Sequence, residues 1–102
     1  MIVPGLLLRL LWGLLGCMGY AEGQVSRGEL HCGWLDTCGE LDSVGFSSVG
    51  ECETAASSQP YDDADCPEYE PGAMATCLAA YRDAIDAQDC AADFSTACLV
   101  CG

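Results

Sequence analysis

The chain has no lysine, no asparagine and a single histidine, His31. Its cations are three arginines, set against sixteen Asp and Glu, which gives a formal net charge of −13. So little positive charge repels phosphate backbones and anionic headgroups, and nucleic acid is excluded as a partner. With one histidine, any nucleophilic or general-base mechanism must pass through His31 or a carboxylate. The surrounding Glu29-Leu30-His31-Cys32-Gly33-Trp34 carries no catalytic signature. Long apolar runs are also missing: Leu10 to Leu15 falls well short of the roughly 18 residues of a spanning helix. Strand-type alternation is nowhere sustained and no repeat is evident, which argues against a β architecture.

Cysteine is abundant instead, with nine in 102 residues. Cys17 directly follows the N-terminal apolar run, which leaves the even set Cys32, Cys38, Cys52, Cys66, Cys77, Cys90, Cys98 and Cys101. An even set behind an export signal is the pattern of a disulfide framework. About 80 residues remain after the signal, near the size at which burial only just offsets chain entropy. Each bridge typically contributes about 2–4 kcal/mol, so the set decides whether the domain folds. Eight cysteines allow roughly a hundred pairings, so connectivity stays open. Cys32 and Cys38 are about 240° apart around a helix and should bond to different elements. Cys77 should join its helix to another.

Residues 1–16 (MIVPGLLLRLLWGLLG) fit a signal peptide. Two cleavage sites compete. Gly19-Tyr20-Ala21 offers small residues to an ordinary signal peptidase and would release a chain beginning at Glu22. Leu14-Leu15-Gly16-Cys17 resembles the lipobox of bacterial lipoproteins. That resemblance implies acylation of Cys17, anchoring to a membrane through its acyl chains, and an outer-membrane destination because Met18 stands where an inner-membrane retention signal has Asp. Two or more acyl chains give stable anchoring.

Past the cysteine, residues 17–25 are expected to be the lipidated residue and a tether, and residues 26–102 a disulfide-stapled helical domain. Ser26-Arg27-Gly28-Glu29 has the form of a capping box and predicts a helix from about Arg27 to Cys38, stopped by Gly39. Ser48-Val49-Gly50-Glu51 predicts a second, ending near Ser57. The stretch from Ser57 to Pro71 is too rich in proline and acid to be a continuous helix. Met74, Cys77, Leu78, Tyr81 and Ile85 form one apolar stripe, predicting a helix from Pro71 to about Ala87. A last short helix is expected from Ser95 to Cys101. The fold class is all-α, a small disulfide-rich bundle of three to four short helices.

Candidate chemistry is sparse. Cys98-Leu99-Val100-Cys101 has the spacing of a redox pair, but both cysteines lie late in the expected helix rather than at its N-terminus, so a structural role is assigned. One C-x-x-C in an oxidising compartment does not make a zinc site. The acidic loop 62–70 (Asp62-Asp63-Ala64-Asp65, Glu68, Glu70) leaves weak calcium binding open, without the glycine and final Glu of an EF-hand. Trp34, Tyr61, Tyr69 and Phe94 are assigned to core packing. The layout of lipobox, helices carrying cysteines, and Cys66-Pro67-Glu68-Tyr69 before an Ala-rich helix looks like the small acidic, Cys-rich lipoproteins of GC-rich Gram-negative bacteria, whose activity is uncharacterised. It implies a non-enzymatic, envelope-anchored structural or protein-interaction module without cofactor or metal, acting on an envelope or extracellular protein. The alternative is a soluble secreted ligand, inhibitor or effector released after Ala21.

Overall fold

The computed structural model describes residues 18–101, and the expected signal peptide and Cys17 lie outside them. The described chain is all-helical, with three α-helices: α1 (Tyr20–Thr37), α2 (Val49–Ser57) and α3 (Pro71–Asp86). Short 3-10 turns at Asp42–Val44 and Asp63–Asp65 lie in the connections. The central helix is α1, which packs against both others. Gly23 faces Met74 and Gly33 faces Ile85, so α1 and α3 run parallel. Cys32 bonds to Cys52 while Gly28 abuts Ala56, so α2 runs antiparallel to α1.

The expected start of the first helix at Arg27 is corrected to Tyr20, and the expected tether is therefore largely helical. Ser26 and Glu29 are interior helix residues, not a capping box. Packing decides this boundary: Tyr20 and Gly23 are buried, and Gly23 lets Met74 lie against the helix backbone. Gly19 is the N-cap, its carbonyl accepting from Gly23 N at 2.9 Å. The Tyr69 hydroxyl holds the approach to that cap, donating to the Met18 carbonyl at 2.7 Å. The C-terminal stop at Gly39 is as expected: its φ of +66° lets Gly39 N reach Asp36 O and Glu40 N reach Leu35 O, the paired bonds of a Schellman motif.

In α2, Ser48 Oγ accepts from Glu51 N at 3.1 Å, the expected N-cap bond. The Glu51 carboxylate accepts from Ser47 instead of returning to Ser48, so only half of the expected box forms. The apolar stripe of α3 is buried as expected at Met74, Cys77, Leu78 and Tyr81. Pro71 opens that helix, where its missing N–H costs nothing. At its end Gln88 adopts φ +51°, and Asp89 N reaches Ala84 O at 2.8 Å, a second Schellman motif with glutamine in the left-handed position.

Four disulfides close the fold: Cys32–Cys52, Cys38–Cys90, Cys66–Cys101 and Cys77–Cys98. Cys32 and Cys38 do bond to different elements. Cys77 joins α3 to the C-terminal tail, not to another helix. The expected helix at Ser95 to Cys101 is a series of turns. Its cysteines are pulled to two separate partners, and the Val100 carbonyl accepts from Glu70 N at 3.0 Å, so the tail backbone is committed to α3 rather than to itself. One core cluster holds Tyr20, Met74, Leu78, Tyr81 and Val100 with three cysteines; a second holds Cys32, Leu35, Leu41 and Cys52. Trp34 packs against both, its indole N–H donating to the Asp89 carbonyl at 2.8 Å.

Gly28 is a sharp test of this packing. A Cβ there would sit 2.6 Å from Ala56 Cβ, a short side chain that cannot swing aside. Helix propensity alone favours Gly28→Ala by about 1 kcal/mol, whereas forcing a methyl into a packed contact costs about 1–3 kcal/mol. We expect a net loss, seen as a lower midpoint in thermal unfolding followed by circular dichroism. The Cys38–Cys90 bridge, with Cys90 exposed, isolates the effect of cross-linking. It spans 52 residues, and the double change to serine should cost about 4 kcal/mol. Non-reducing denaturant titration measures that loss.

Candidate functional site

Two depressions adjoin on the face formed by α1 and the loop that follows α2, and Tyr61 lines both. The first is a polar cleft of about 270 Å³ lined by Gln24, Arg27, Gly28, His31, Tyr61 and Tyr81. Helical spacing puts Gln24, Arg27, Gly28 and His31 on one side of α1, over successive turns. Tyr81 comes from the parallel α3, and Tyr61 from a stretch whose prolines keep it out of helix. The second depression, about 560 Å³, is lined by Met18, Ala21, Glu22, Val25, Ser26, Gln59, Pro60 and Tyr61.

His31 is a half-buried wall of the polar cleft. Its Nδ1 lies 3.0 Å from the Tyr81 hydroxyl, and its ring meets Tyr81 edge-on and Trp34 at a tilt. The tautomer sets the direction of this bond: with the ring hydrogen on Nε2 the imidazole accepts from the Tyr81 hydroxyl, and with it on Nδ1 it donates. Tyr81 is fixed from behind by Phe94, stacked with centroids 3.8 Å apart. Burial, and after it the neighbouring Arg27 guanidinium, hold the His31 pKa below its usual value near 6.5. Arg27 itself has Gln24 Oε1 as its hydrogen-bond partner among the described residues, at 3.5 Å, the outer limit for such a bond.

The arrangement offers hydrogen-bond donors and one weak base. No serine, threonine or thiol lines the cleft. All eight described cysteines are in bridges. Cys98 and Cys101 have different partners and so do not form a redox pair with each other. Among the described residues no three His, Cys, Asp or Glu side chains gather as a metal site. In the acidic loop, Asp62 Oδ1 accepts from Ala64 N at 3.0 Å, capping the turn, and Asp63 and Asp65 are exposed. Trp34, Tyr61, Tyr69 and Phe94 pack against the core, as expected. Cys17, the expected lipidation site, lies outside the described residues. The sequence pattern did not single out the Arg27–His31–Tyr81 cleft, because Tyr61 and Tyr81 reach the α1 wall from thirty or more residues along the chain and leave no local spacing to read. Protein-family models, curated proteins and solved structures give no match to the chain.

The His31 environment has a pH signature. Between its lowered folded pKa and about 6.5, the unfolded chain binds more protons at this residue than the folded chain. The contribution is therefore complete above about pH 6.5 and is lost as pH falls through that window. Unfolding titrations between pH 7 and 5 should show a steeper decline in stability for the native chain than for His31→Gln. Equal slopes would mean that the ring gains and loses its proton alike in both states.

Proposed function

We propose that the chain is a non-enzymatic module of the bacterial cell envelope, anchored in the outer membrane through acyl chains on Cys17 and acting there as a structural or protein-interaction domain. The observation that carries this reading is the first turn of α1. Tyr20 is buried against Tyr61 and Tyr69, and the Met18 and Gly19 carbonyls accept hydrogen bonds. Cleavage after Ala21 removes all of these groups, and losing a buried aromatic ring costs about 3–5 kcal/mol. Cleavage ahead of Cys17 keeps them. The eight cysteines of the domain pair among themselves, so acylation of Cys17 competes with no bridge.

The chemistry of the His31 cleft supports a binding role over a catalytic one, since its base faces no serine, threonine or thiol to activate. No helix among the described residues is long and apolar enough to cross a membrane. In this reading the acyl chains supply the anchor. The disulfides are those of a chain matured in an oxidising compartment.

Intact mass spectrometry of the protein from its own host, before and after reduction and alkylation, tests the proposal. We expect a chain beginning at Cys17 with added acyl mass, gaining eight alkyl groups only after reduction. A bare chain beginning at Glu22 would replace the anchored module with a secreted ligand, inhibitor or effector.

A further inference from the structure

The adjoining depressions differ in chemistry in a way that defines a ligand. Only Arg27 and Arg82 carry permanent positive charge among the described residues, whereas all sixteen acids fall there. Arg82 is exposed on α3. Arg27 is partly buried and lines the same cleft as the only histidine, with a marginal bond to Gln24 as its partner. A guanidinium held this way, in a chain with so many carboxylates, presents its planar donors to an anion from outside, and a carboxylate matches that fork. Next to it, across Tyr61, Met18, Ala21, Val25 and Pro60 supply an apolar groove of about 560 Å³, within the range of small-molecule sites.

Magnitudes decide between a small anion and a larger one. A partly exposed arginine–carboxylate pair strengthens binding by a factor of about five at most. That is too little to hold a simple anion, and the net charge of −13 opposes one at long range, although salt screens that field beyond about 8 Å. Each methylene buried in the groove adds about fourfold. Glu22 lines the groove five residues from Arg27, about 7.5 Å along the helix, and repels a carboxylate from that end. Head and tail are thereby given one direction.

We propose that this composite cleft binds an amphiphilic monocarboxylate, its head group on Arg27 and His31 and its alkyl body past Tyr61 along Val25, Ala21 and Pro60. The inference goes beyond the envelope proposal and does not rest on the lipid anchor. Trp34, whose ring centroid lies 5.7 Å from that of His31, supplies a fluorescence signal at the polar end.

The test titrates octanoate, decanoate and 1-octanol into the protein purified from its own host with its bridges intact. Octanoate should bind saturably, decanoate about fifteenfold more tightly, and 1-octanol about fivefold more weakly than octanoate. Arg27→Gln, which keeps a good helix former at a partly exposed position, should bring octanoate to the level of 1-octanol without loss of helicity. Saturable binding that is the same for acid and alcohol, or unchanged in Arg27→Gln, would overturn the head-group assignment. Absence of saturable binding by any of the three would overturn the site.

Discussion

Cross-linking is the constraint on which this structure depends. Helices of 9 to 18 residues are marginal on their own in water, and neither α1 nor α3 has a side-chain N-cap or a basic residue in its last turn. The bridges tie α1 to α2, the end of α1 to the turn after α3, α3 to the tail, and the loop before α3 to the same tail. At about 2–4 kcal/mol each they contribute on the order of the whole stability of a typical domain. No bridge among them joins α1 directly to α3. That contact is made by Met74 against the backbone at Gly23, by His31 on Tyr81 and by Trp34 on the Asp89 carbonyl. The parallel pair is therefore held by side-chain fit, and the cleft lies where that fit is most polar.

Close approach explains the glycines of α1. Gly23 and Gly28 each carry a propensity cost of about 1 kcal/mol, and each meets a neighbour at a distance no Cβ tolerates. Their faces differ, one toward α3 and one toward α2, so a single helix serves as the shared wall of both packings. The same residues bring Tyr81 beneath His31 and leave Arg27 at the cleft. Cleft and core thus arise from one set of contacts, and a change that separates the helices alters both.

Much of this was legible in the sequence. The all-helical class followed from the apolar period of α3 and from the absence of alternation. The disulfide framework followed from an even cysteine set, and the stop at Gly39 from the freedom of glycine at positive φ. The second N-cap followed from the reach of a serine hydroxyl to a backbone N–H three residues on. The errors share a cause. The Ser26–Glu29 pattern is local, and local signals yield where tertiary burial offers more: Tyr20 and Gly23 find α3 and the aromatic cluster, and the helix extends back to meet them. A helix was expected in the tail, yet its sulfurs and the Val100 carbonyl were claimed elsewhere.

Some properties of this protein are additive along the chain, and these the sequence determined by itself: a strongly acidic surface, a cross-linked small domain, and helices at the positions where period and caps agree. Others depend on which distant groups meet, and only the tertiary structure decided them. They include the pairing of the cysteines, the parallel sense of α1 and α3, the burial of Tyr20 and Gly23 in the fold, and the juxtaposition of Arg27, His31, Tyr61 and Tyr81. The reason is physical: a cap or an apolar stripe is an interaction within one or two turns, whereas a bridge or a cleft wall joins residues whose separation along the chain carries no energy until the core brings them together.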